Sequence, residues 1–145
     1  MLARKAGITV MSWGNIKLDK ADKTFSLYIR ARDGKCKRCG RAGTPNAEGL
    51  PVIGLQCSHF WSRRNESTRY DPNNCDALCA GCHFRWGGDY REEYRDFKLK
   101  QLGKKDYQTL EILHNTYQKK DRVLALMIAT ALLESLETQY SPSNL

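Results

Sequence analysis

Residues 78–88 read LCAGCHFRWGG, and the histidine set directly against the second cysteine decides the reading of the chain. A C-x2-C turn presents two thiols to one ion, which is half of a tetrahedral metal site. The other half is Cys36 and Cys39, in RDGKCKRCG. Together Cys36, Cys39, Cys79 and Cys82 predict one structural zinc ion held by two turns distant in sequence. The stretch between the pairs is too long for a compact zinc ribbon, so it must carry an element of its own, tied at both ends by the metal. His83 follows Cys82 at once, and whatever fixes the thiol also fixes the imidazole. Cys57 and Cys75 fall outside the paired spacing and read as small buried apolar residues.

The composition sets the partner class. There are 24 Lys and Arg against 16 Asp and Glu, a net +8 that favours a polyanion, nucleic acid first. MLARKAGITVM lacks the sustained apolar run of a signal peptide. The longest apolar stretch, VLALMIATALL at 123–133, is too short to span a membrane. A cytoplasmic location is therefore expected, with no membrane partner. There thiols stay reduced and bind metal rather than pair as disulfides.

The length predicts one domain with an appended arm over 1–16. In 17–32, Leu18, Ala21, Phe25, Tyr28 and Ile29 recur at helical steps. Residues 40–54 are rich in Gly and Pro and read as loop, 51–60 as a strand, and 62–74 as polar turns. From about Cys75 the chain is expected to enter a helix that carries the second cysteine pair and ends at Gly87 and Gly88. Three helical stretches follow. Tyr90, Tyr94 and Phe97 share a face of the first, which stops near Gly103. Tyr107, Leu110, Leu113 and Tyr117 share a face of the second, and 121–138 forms the third. The compact domain is placed at 17–103, with 104–145 as a C-terminal helical extension. The last helix is apolar enough either to pack on its own domain or to form a homodimer.

Between the cysteine pairs lie CSHFWSRR with His59 and YDPNNCDALC with Asn74, and His83 follows the second pair. This order of strand histidine, asparagine, then Leu-Cys-x2-Cys-His resembles the HNH nucleases. The segments YIRARDGKCKRCG, CSHFWSRRNESTRYDPNNCDALCAGCH and YREEYRDFKLKQLGKKDY are similar, in the same order, to the NinG/Rap family of phage recombination endonucleases. The likeness covers roughly residues 13–110. It implies an α+β fold: a small zinc-stabilised ββα-metal core at 17–103 with flanking N- and C-terminal helices. It also implies a metal-dependent endonuclease selective for branched or junction DNA.

Hydrolysis of a phosphodiester needs an activated water, a cation at the phosphate oxygens and donors for the developing charge. A neutral histidine suits the base, and His59 takes that role. Asn74 would hold the histidine loop or orient the imidazole through its amide. His83 would bind the catalytic divalent ion, magnesium or manganese, since few hard protein ligands are at hand. Many HNH enzymes carry Asp just before the strand histidine. Here that residue is Ser58, which leaves Asp76 or Asp71 as substitutes to consider.

Arg63, Arg64 and Arg69 flank the histidine loop, and Arg85 follows His83, so all four are expected to bind DNA phosphates. Trp61 and Trp86 could stack on unpaired bases or pack in the core. KLKQLGKK at 98–105 adds charge that a solvated helix face would also explain, and His114 suggests no role. Two other readings stay open: an HNH nuclease of homing, restriction or packaging, and a zinc-stabilised DNA-binding module without catalysis.

Overall fold

The computed structural model describes residues 18–139; the arm at 1–16 lies outside the described residues. Helix α1 spans Lys20–Asp33. It starts in a reciprocal cap: Asp19 accepts from the Asp22 N–H at 3.1 Å, and Asp22 accepts from the Asp19 N–H at 2.9 Å. It stops at Gly34, whose φ of 66° is a left-handed cap that a residue with a Cβ rarely adopts. Phe25 and Ile29, one turn apart, are buried and make α1 the central helix.

A knuckle carrying Cys36 and Cys39 follows, closed by bridging of Lys35 to Ala42. Strands β1 (Thr44–Pro45) and β2 (Pro51–Ile53) form one small antiparallel pair. Strands β3 (Leu55–His59) and β4 (Cys75–Cys79) form another. The loop between β3 and β4 holds the one-turn helix α2 (Glu66–Arg69) and a 3-10 turn over Pro72–Asn74. Helix α3 (Ala80–Gly87) leaves β4 directly. Helix α4 (Arg91–His114) is kinked at Gly103, where φ is 81° and ψ 161°, and α5 (Arg122–Gln139) closes the chain. The fold is α+β.

The sequence places a helix from about Cys75, and here it needs correction. Cys75–Cys79 is a strand, and the helix starts at Ala80. All five residues of β4 are buried. A strand covered on both faces shows no alternation, so CDALC cannot be told from a buried helix turn by periodicity. The break expected near Gly103 is the kink in α4. His114, expected in mid-helix, is the last residue of α4.

Helix α1 also organises the hairpin. Asp33, at its C-terminus, accepts from the Ala77 N–H of β4 at 2.8 Å, while Arg32 donates to the carbonyls of Pro72 and Cys75 at 2.9 and 2.8 Å. The knuckle adds Lys37 N–H to Ala77 O at 2.9 Å. The Arg-Asp pair thus satisfies backbone groups on the edge of β4 that β3 does not reach. Helix α5 lies against α1, burying Ala125 and Ala129 beside Phe25 and leaving Val123 and Met127 exposed. Among the described residues, no helix is long and apolar enough to cross a membrane.

Two buried charge clusters tie the layers. Asp22 takes a two-pronged contact from Arg69 at 2.9 and 2.7 Å and a third bond from the Tyr70 hydroxyl at 3.0 Å. Asp76 accepts from Tyr94, Lys98 and Gln101 at 2.9, 3.1 and 2.9 Å. Lys98 is fully buried, which corrects its reading as part of a solvated basic face. A charge at such depth persists only when paired and hydrogen-bonded on every side.

Candidate metal centre and histidine site

The knuckle and the β4–α3 junction bring four thiols together. The Sγ atoms of Cys36, Cys39, Cys79 and Cys82 all lie within 4.8 Å of one another. Cys39 and Cys79, from the two separate turns, are 3.8 Å apart. The register Leu55 to Cys79 puts the second turn at the open end of the hairpin, beside the knuckle that β4 already binds. Four thiols in so small a space cannot all ionise unaided. Burial raises Cys36, yet backbone N–H groups at Cys39, Cys79 and Arg38 outweigh it and bring its pKa down to about 6. Burial pushes Cys82 up to about 12 despite the Arg38 guanidinium 3.5 Å away. The difference follows from burial and from which thiol receives the backbone N–H groups, and a cation among the four would favour the thiolate at each. The set can hold a metal ion.

Helix α3 continues from this cluster, so His83 stands one residue past a thiol anchored at both ends. Its Nδ1 donates to Gln56 Oε1 at 2.7 Å, which leaves Nε2 as the unprotonated, ligand-competent nitrogen. Gln56 is the partner that sequence reasoning missed. Strand alternation from His59 contains the signal, because Gln56 and Ser58 point to the face opposite His59, toward α3.

His59 ends β3. Its Nε2 donates to the Arg69 carbonyl at 2.9 Å, so Nδ1 carries the lone pair. Burial, reinforced by the positive charge of Arg63, lowers its pKa to about 4. Burial and then the same Arg63 charge also lower the pKa of His83. Both imidazoles are thus held neutral, and one guanidinium acts on both. Asn74 is fully buried and binds neither histidine. Its Oδ1 accepts from the Trp61 N–H at 2.8 Å, and its Nδ2 donates to Trp61 O and Thr68 O at 2.9 and 3.0 Å. Of the two roles open to it, the geometry gives the loop staple. By closing residues 61–74 on themselves, it sets the Arg69 carbonyl against His59.

The arginines divide. Arg63 is half-buried, and Arg64 and Arg85 are exposed. Arg69 is 3% exposed and committed to Asp22, so its expected place on a DNA phosphate is corrected to a structural one. Asp76 is neutralised by Lys98, and Asp71 caps the turn at the Asn73 N–H at 2.9 Å. Both carboxylates thus have protein partners, and Ser58 is buried. Trp86 packs inside, stacked on Tyr94 at 4.4 Å, whereas half-buried Trp61 stacks on His114 at 4.2 Å. An open groove of about 990 Å³ runs beside the stapled loop, with Arg63, Arg64, Lys120 and Arg122 on its walls. Asp19 and Glu66 also line it, but both pair with Arg122. Neither His59 nor His83 lines this groove, so it flanks the histidines rather than containing them.

No family model matches the chain, and no curated protein or solved structure does so either.

Proposed function

We propose that the chain is a metal-dependent DNA endonuclease of the HNH type, similar to the NinG/Rap enzymes and acting on branched recombination intermediates of a phage. The observation that carries this reading is the paired state of the two histidines. One has its Nε2–H fixed by a backbone carbonyl, and the other its Nδ1–H fixed by Gln56. Each is left with one directed lone pair, and both are held neutral. A binding module has no use for two such nitrogens. The hairpin β3–β4 followed by α3 supplies the strand, strand and helix order that the HNH likeness implies.

Zinc suits the four thiols. A Zn–S bond of about 2.3 Å in a tetrahedron sets sulfurs about 3.8 Å apart, and Cys39 and Cys79 stand at 3.8 Å. That ion would mount His83 rigidly. Magnesium or manganese would supply charge neutralisation at the scissile phosphate and the leaving oxygen. Among the described residues His83 Nε2 is the one ligand we assign to it, so phosphate and water must complete its shell. His59 Nδ1 takes the proton from the attacking water, while the Arg69 carbonyl steadies the imidazolium that forms. Arg63, beside both rings, offers charge to the phosphate, and Arg64 and Arg85 extend it along the backbone.

His59→Ala should lower cleavage of a four-way junction by about 100- to 10,000-fold with DNA affinity nearly intact, since a base acts in the transition state. His83→Ala should lose activity through the ion, with partial rescue at raised manganese. Wild-type protein that cuts no linear, nicked or branched DNA with either ion would refute the enzyme and leave a DNA-binding module.

A further inference from the structure

The thiols left over from the four-cysteine cluster are not scattered. Cys57 and His59 are two residues apart on β3 and share a face, and Cys75 of β4 lies opposite His59 in the register. The two Sγ atoms and a ring nitrogen of His59 lie within 4.8 Å of one another, the same reach that joins the first cluster. Cys57 is 9% exposed and Cys75 fully buried, with Phe25, Tyr70, Ala125 and Ala129 packed around them.

We infer that Cys57, Cys75 and His59 form a second, exchangeable site for a thiophilic divalent cation of the zinc class, and that filling it withdraws His59 from catalysis. The second half rests on the reading of His59 as the base. Two sulfurs and an imidazole are soft donors, matched to zinc or cadmium and mismatched to magnesium. Binding converts two thiols to thiolates and releases two protons. The product, a dication with two thiolates and a neutral ring, carries no net charge, as its apolar surroundings require. Three protein donors instead of four make it the weaker of the two sites. Either ring nitrogen serves the outcome. A metal at Nδ1 takes the lone pair itself, and a metal at Nε2 moves the proton that the Arg69 carbonyl holds onto Nδ1, which occupies that lone pair and keeps the ring neutral.

Further cadmium added to protein whose four-thiol cluster already holds one cadmium per chain tests this, followed by the ultraviolet thiolate-to-cadmium band and by proton release. A second equivalent is expected, releasing two protons, with about half the band of a four-thiolate site. Cys57→Ala should abolish that equivalent and spare the first. In magnesium-supported cleavage, the second equivalent should inhibit the wild type and spare Cys57→Ala. Saturation with no equivalent beyond the first would overturn the site, and the wild-type titration alone decides this if the variant does not fold. A second equivalent that leaves cleavage untouched would overturn the withdrawal of His59, whereas the base assignment is judged separately by the cleavage rate of His59→Ala.

Discussion

Replacing Asn74 with Ala removes three hydrogen bonds from one fully buried amide. The Trp61 N–H loses its acceptor at 2.8 Å, and the carbonyls of Trp61 and Thr68 lose donors at 2.9 and 3.0 Å. The losses are unequal. Thr68 O keeps the Asp71 N–H at 3.3 Å and suffers least. A buried N–H left without a partner costs roughly 1–3 kcal/mol and a carbonyl somewhat less, so the total should be about 3 kcal/mol. Urea unfolding measures it directly, and hydrogen exchange at the Trp61 amide should accelerate more than at β4. The released loop would also let the Arg69 carbonyl drift from His59. Ring nitrogen chemical shifts should then report mixed tautomers in place of the Nε2–H form. Asn74→Asp separates acceptor from donor. It keeps the acceptor for Trp61 but sets a buried charge against two carbonyls, so its stability should recover as the pH falls and the carboxyl protonates. A loss under about 1 kcal/mol for Asn74→Ala, with Trp61 exchange unchanged, would show that the loop is held by something else.

Three further outcomes are expected. Stripping metal from the four-thiol cluster, or Cys79→Ser, should lower the melting temperature sharply and release the knuckle, because binding energy at such a site is folding energy; metal analysis with calorimetry checks it. The folded state holds His59 near a pKa of about 4, against 6.5 for an ordinary histidine. The unfolded chain therefore binds the extra proton first, and stability should fall as the pH drops from 6.5 toward 4, by about 3 kcal/mol at about 1.4 kcal/mol per pH unit. His59→Gln should flatten that part of the profile. Replacing Arg63 and Arg64 with Ala should reduce the log–log salt slope of duplex binding by about 0.9 for each phosphate no longer neutralised, while Arg69→Ala should act on folding instead.

What the sequence made legible follows from range. The C-x2-C pairs and the neighbour rule linking Cys82 to His83 are local, and both cysteine turns meet as the spacing requires. Helix α1 and the break at Gly103 rest on periodicity and a single permissive residue, and they too were readable. The strand at Cys75–Cys79 was not, because burial on both faces erases alternation. Arg69 misled for a related reason. An arginine in a run of arginines looks like surface charge, and only the fold shows that Asp22, far off in sequence, waits for it. Gln56 and the triad of Cys57, His59 and Cys75 needed the strand register, which no single stretch contains.

The residues that the sequence concealed converge on one feature of the design. An acidic residue before the strand histidine would tether a catalytic ion by charge, and this chain has Ser58 there, buried. Its nearby carboxylates are spent elsewhere: Asp76 on Lys98, Asp22 on Arg69, Asp71 on a turn. Position must then do what charge does not. The four-thiol cluster fixes the start of α3 and so His83. Asn74 fixes the loop and so the carbonyl behind His59. Asp33 fixes β4, which carries the junction between them. On the proposed reading none of these anchors would touch a substrate, yet together they would hold the two histidines in place. In such a site, loosening an anchor should degrade activity as surely as removing a histidine.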